Sequence, residues 1–111
     1  MTLELAAIQH DIAWESPTET ITVVRPLVLD AAEQGATLIS LTEMWACGFS
    51  MNTEVVAEPP DGLTATTMHE LAEETGCWIA GSFCLLIHLL VCWLTWGVVP
   101  HARRSGRSRR M

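Results

Sequence analysis

Apolar positions along this chain alternate between two spacings. Residues 3–8 are apolar apart from Glu4 and predict a first strand, buried on both faces beyond Glu4. Ile21, Val24, Val28 and Ala31 then recur at spacings of three and four, one face of a helix. Ser16-Pro17-Thr18-Glu19 marks where that helix starts. Ser16 offers a cap, Pro17 suits the first helical position and Glu19 closes a capping box. Pro26 interrupts the pattern and predicts a kink, at about 3 kcal/mol if unrelieved, and Gly35 marks the end. Residues 37–41 predict a second strand. Residues 44–62, with Gly48, Pro59, Pro60, Asp61 and Gly62, predict a long loop, and loops of that length in compact domains are more often functional or disordered than neutral. A second helix is expected from about residue 63 to 75, with Met68, Leu71 and Ala72 inward and Gly76 past its end. Residues 77–82 predict a third strand.

The order strand–helix–strand–helix–strand predicts an α/β unit. Each crossover is long enough for a parallel pair, and such crossovers are right-handed. The expectation is a three-stranded parallel sheet with helices on one face.

Length and charge refine this picture. The 111 residues suit one small domain, and half of them are hydrophobic, so a core can form. All 13 acids and a single base, Arg25, lie in residues 1–100, while the last eleven residues hold five arginines and no acid. So acidic a body argues against nucleic-acid binding by the folded part. Met1-Thr2-Leu3-Glu4 has neither a basic region nor an apolar run, so no signal peptide is expected. Cys47, Cys77, Cys84 and Cys92 show no paired framework and read as reduced thiols of a cytoplasmic protein.

The second strand ends on a carboxylate. In Leu38-Ile39-Ser40-Leu41-Thr42-Glu43, Glu43 stands where the strand should stop, and ligands gather at the carboxyl ends of strands in open α/β sheets. On position alone a solvated loop glutamate is the commoner outcome. The surrounding residues add to this. Leu41-Thr42-Glu43-Met44-Trp45 followed by Gly48-Phe49-Ser50-Met51 resembles the glutamate motif of the nitrilase, or carbon–nitrogen hydrolase, superfamily, nearest its omega-amidase-like branch. Ala7-Ile8-Gln9, Gly35-Ala36-Thr37-Leu38-Ile39 and Gly76-Cys77-Trp78-Ile79-Ala80-Gly81-Ser82 extend the likeness over about residues 3–83. The family usually has proline where Thr42 stands.

The resemblance implies that residues 1–83 are a partial hydrolase domain, the N-terminal strand-helix-strand-helix-strand fragment of an α-β-β-α sandwich. It implies amide hydrolysis through a Glu–Lys–Cys triad without a cofactor. In that triad the cysteine forms a thioester, the glutamate is the general base and the lysine steadies the tetrahedral intermediate. By the resemblance Glu43 is the base and a small carboxamide the substrate. The chain contains no lysine, and the family's cysteine elbow has no counterpart, so no useful turnover by this chain alone is expected. A missing second sheet would leave an apolar sheet face open, through which the chain would dock onto a relative or form a homo-oligomer.

Beyond residue 83 the likeness stops, and an apolar and then Arg-rich tail follows. Residues 75–102 contain no Asp, Glu, Lys or Arg. A shifted reading frame or miscalled exon over 84–111 fits this break best. Two alternatives remain. Residues 78–99, 22 in number, would span a ~30 Å hydrocarbon core as a helix, with Arg103, Arg104, Arg107, Arg109 and Arg110 as a cytoplasmic flank. They could instead form an apolar helix covering the sheet. The membrane reading is disfavoured because it would take residues 78–82 out of the third strand. The arginines could touch phosphates, but a solvated terminus is the ordinary reading.

Other candidates are weaker. Cys84, His88 and Cys92 recur every four residues and would line one helix face, a zinc-like pattern without a Cys-x-x-Cys pair or a fourth ligand, so no metal is expected. Cys47 could replace the nucleophile only beside a positive group, and only Arg25 or a histidine could serve. His10 and His69 read as surface residues.

Overall fold

The structure, a computed structural model, describes residues 3–87 and 91–99, with side chains for residues 3–85. Its elements are β1 (Leu5–Ala7), α1 (Pro17–Glu33), β2 (Leu38–Ser40), α2 (Thr53–Val56), α3 (Leu63–Thr75), β3 (Trp78–Ile87) and β4 (Val91–Val99). The four strands form one sheet in the order β1-β2-β3-β4. β1, β2 and β3 pair in parallel, as the crossover lengths allow, with Leu5, Leu38 and Trp78 in one row and Ala6, Ile39 and Ile79 in the next.

That register assigns the faces, because neighbouring residues on a strand point to opposite sides. Ala6, Ile39 and Ile79 pack with Val24 and Val28 of α1 and Met68, Leu71 and Ala72 of α3. Both helices therefore cover one face, and the core lies between them and the sheet. Arg25 spans the two helices at 3.5 Å from Glu70 and 3.4 Å from Glu74, but these groups are too exposed to hold the helices together. On the opposite face Leu5 is 60% exposed and Trp78 39%, so this side of the sheet is open at β1 and the start of β3.

Local chemistry sets the ends. α1 begins at Pro17 after Ser16, but the Ser16 side chain makes no capping bond. The hydroxyl of Thr20 donates to the carbonyl of Ser16 and accepts the Ala13 amide. α1 runs on through Pro26, which is exposed, as is Thr22, whose carbonyl lost its donor. α3 starts after Gly62, and its cap comes from a distance. Glu58 Oε1 accepts the Thr64 amide at 2.8 Å and Oε2 the Thr64 hydroxyl, an anion at the positive end of the helix. α3 ends on Gly76 in the left-handed conformation (φ 71°).

The expectations for residues 78–99 need correction. β3 continues through Ile87 without a break at residue 83, and β4 pairs with it antiparallel, Ile79 opposite Val99 and Ile87 opposite Val91. Neither the membrane helix nor the covering helix forms. An unbroken apolar run carries no period of its own, and pairing with β3 makes it a strand. Among the described residues no helix is long and apolar enough to cross a membrane. The Cys84–His88–Cys92 helix face is lost in the same way, and His88 lies outside the described residues. Cys84 is disulfide-bonded, against the expectation of four reduced thiols, in a hairpin whose register brings residues 92–94 beside it. The arginines of residues 103–110 lie outside the described residues.

The open face carries a prediction. The purified chain is expected to self-associate with rising concentration in sedimentation experiments. A monomer at all concentrations with one sharp, cooperative thermal transition would contradict this.

Candidate functional site

Glu43 lies where β2 leaves the sheet. The last ladder bond of that strand runs from the Leu41 amide to the Ala80 carbonyl at 2.7 Å. Thr42 follows, its hydroxyl 3.4 Å from Nε2 of His10, three residues beyond β1. Glu43 then begins a turn over residues 43–47 and is exposed. Its carboxylate has no hydrogen-bond or ion-pair partner among the described residues.

The turn around Glu43 is tied to β3. The Met44 amide donates to Ser82 Oγ at 2.9 Å, and both residues are buried. The Met44 carbonyl accepts the amides of Cys47 (3.3 Å) and Gly48 (2.9 Å). Met44 takes φ 49°, in the left-handed region that a residue with a Cβ avoids, and Gly48 takes φ 83°. Such a conformation persists when its surroundings over-determine it, and here both peptide groups of Met44 are held.

Trp45, fully buried, completes the anchor. A Cβ added to Gly81 would stand 2.9 Å from Trp45 Cδ1 and 3.2 Å from Nε1, so only glycine lets the indole lie this close to β3. Among the described residues Trp45 Nε1 has no hydrogen-bond partner. The indole belongs to the core under the helices, whereas Met44 and Cys47 pack with Val56 and Cys84 in a second cluster. Gly81 shares the face of Ile79, and Ser82 the opposite one. The loop therefore straddles the carboxyl end of the sheet, with the exposed Glu43 as its first residue.

The remaining candidates fall elsewhere. Cys47 lies in this loop, but it is buried, and its thiol is pushed up from 9.0 to about 11 by burial first and then by the carboxylates of Glu58 and Glu15. Arg25 is engaged on α1 and α3 and does not serve it. His10 is half-buried, its Nδ1–H directed at the Asp11 carbonyl at 2.9 Å, and His69 is exposed on α3. Cys77 is buried ahead of β3, its thiol donating to the Ala36 carbonyl at 3.0 Å. Among the described residues no three His, Cys, Asp or Glu side chains converge to hold a metal. A cleft of about 410 Å³ runs along β1 and the second half of α1, lined by Leu5, Ile8, Leu27, Asp30 and Gln34. It follows the free edge of the sheet and does not include Glu43.

Sequence reasoning missed Ser82, Gly81 and Glu58. A glycine inside an apolar strand is the one signal that was available, since it marks a close approach.

The chain matches known proteins over most of its length. The family model "Carbon-nitrogen hydrolase" matches residues 4–88, five residues past the end of the likeness seen in the sequence. A nitrilase of Pyrococcus abyssi is 27% identical over 82 residues, covering 69% of this chain and 31% of that protein. A CN-hydrolase superfamily protein of Xanthomonas campestris, whose structure carries an arsenic adduct in the active site, aligns over 88% of this chain and 37% of its own, with TM-score 0.74 and 25% identity. An amidase from Nesterenkonia sp. shares the fold at TM-score 0.76 and 20% identity, over 89% of this chain and 38% of its own. The chain thus spans between three and four tenths of these relatives.

The Cys47 environment generates a prediction. Below pH 9 the folded thiol is protonated, and Cys47 is expected to react with a thiol reagent at pH 7.5 far more slowly than after unfolding. Because the folded form holds its proton more tightly, this group's contribution to stability is complete below pH 9 and is lost as pH rises towards about 11. Time-resolved alkylation with peptide mapping checks the first point. Equally fast labelling of folded and unfolded Cys47 would contradict it.

Proposed function

Because this chain belongs to the carbon–nitrogen hydrolase family, we propose that Glu43 is its general base, inherited for hydrolysis of amide C–N bonds in small carboxamides of the omega-amide type. The observation that carries this reading is the placement of Glu43. It is an exposed carboxylate at the carboxyl end of a parallel strand, on a turn tied at both peptide groups of the next residue. A base so placed would take the proton from the attacking group and pass it to the leaving amine.

The chain supplies this base and not the rest of the chemistry that its resemblance implies. It has no lysine to stabilise the tetrahedral intermediate, and the cysteine in the same loop, Cys47, is buried and protonated. We therefore propose that this chain alone is catalytically silent. Its open sheet face, with Leu5 and Trp78 exposed, is where further parts of such a domain or a second copy would pack.

Two assays test the reading. The purified chain incubated with small carboxamides is expected to release no more ammonia than its Glu43→Ala variant. Turnover that Glu43→Ala abolishes would contradict the proposed silence. In a chimera with residues 4–88 grafted onto the remaining sequence of the Pyrococcus nitrilase, Glu43→Ala is expected to lower kcat by about 10²–10⁴-fold, the range for losing a general base. An active chimera indifferent to Glu43→Ala would remove Glu43 from the base role.

A further inference from the structure

We propose that Ser82 is a positioning residue for Glu43: its buried hydroxyl, by accepting the Met44 amide, fixes the turn from which the Glu43 carboxylate is presented. The inference rests on the reading of Glu43 as the base, but its geometry stands apart from any activity.

The β2–β3 ladder shows why a side chain is needed here. Ser40 pairs with Ala80, and the Leu41 amide reaches the Ala80 carbonyl. One step further along β3 is Gly81, and there the backbone pairing has ended because the chain turns away to place Glu43 beyond the strand. The Met44 amide is then buried, and among the described residues no backbone carbonyl receives it. Ser82 is fully buried on the face of β3 where Met44 packs, and its Oγ meets that amide at 2.9 Å. Glu43 is thus bracketed, by the Leu41–Ala80 bond two residues before it and the Met44–Ser82 bond one residue after.

The left-handed φ of Met44 makes the second bracket matter. Relaxation of this residue towards ordinary φ would rotate the peptide that joins it to Glu43 and swing the carboxylate away from its present direction. Three ties oppose that rotation. Ser82 holds the Met44 amide, the amides of Cys47 and Gly48 hold its carbonyl, and Trp45 is seated against Gly81. Of the three, only the bond to Ser82 connects the Met44 amide to a strand. Consecutive residues of β3, Gly81 and Ser82, therefore act on opposite sides of one turn.

Nuclear magnetic resonance of the full chain tests this. In the unaltered chain the Met44 amide should exchange with solvent more slowly than the Glu43 amide. In Ser82→Ala the Met44 amide should exchange about tenfold faster or more, the factor for loss of one buried hydrogen bond. Its nitrogen shift and the Glu43 resonances should move too, while the Leu41 amide keeps its protection. Ser82→Thr, which retains the hydroxyl, should restore the unaltered pattern. The proposal is overturned if Met44 is unprotected in the unaltered chain, if Ser82→Ala leaves Met44 and Glu43 unchanged, or if Leu41 loses protection equally. Should Ser82→Ala fail to fold, Ser82→Thr and the unaltered chain decide the matter. An active-site role for Glu43 is read from the activity assays and not from these spectra, so the two ideas fail separately.

Discussion

The interaction on which this structure turns is the fastening of the loop after β2 to the end of β3. A parallel strand of three residues ends early, and the chain must leave the sheet without stranding buried amides. It does so through two neighbouring residues of β3. Ser82 receives the Met44 amide, and Gly81, lacking a side chain, lets the indole of Trp45 settle against the strand. The left-handed Met44 and the exposed position of Glu43 both follow. A carboxylate at a strand end is ordinary. One whose backbone is tied immediately before and after it has the point from which its side chain leaves the chain set in advance, which helps to place a base.

The same loop divides the interior. Trp45 joins the core beneath α1 and α3, and Met44 and Cys47 form the second cluster with Val56 and Cys84 on the other side. That second cluster covers only the part of the sheet near Ser82 and Cys84. Towards β1 the same face is more open, with Leu5 and Trp78 exposed. A chain that spans less than half of its solved relatives thus builds one complete helix-covered face and part of another. Burial of Cys47, helped by the charges of Glu58 and Glu15, also holds the loop's own thiol in its protonated, poorly nucleophilic form.

Most of the helix-covered layer was legible from residue order. α3 spans the residues its inward Met68, Leu71 and Ala72 imply, with Gly76 left-handed past its end, and α1 starts at Pro17. These are local signals, read within one or two turns. Glu43 was legible because an apolar strand ends on an acid and because its neighbours resemble a family motif. The misses share one cause, dependence on partners distant in sequence. Ser16 seemed a cap, yet its side chain makes no capping bond, and Thr20 inside the helix instead ties the entering chain through Ala13 and the Ser16 carbonyl. Glu58, four residues before Gly62, caps α3 from outside the helix. The hydroxyl of Ser82 meets an amide 38 residues earlier. β4 follows from the edge of β3, not from any alternation of its own, and so residues 78–99 could be mistaken for a helix.

The central claim is that Trp45 and Met44 bind the Glu43 loop to β3, and the most direct measurement is the proton–proton Overhauser spectrum of the folded chain. The account predicts strong cross-peaks from the Trp45 Hδ1 proton to the Gly81 α-protons, and from the Met44 amide to the Ser82 β-protons. A Trp45 ring without contacts to β3, and a Met44 amide near no proton of Ser82, would contradict it.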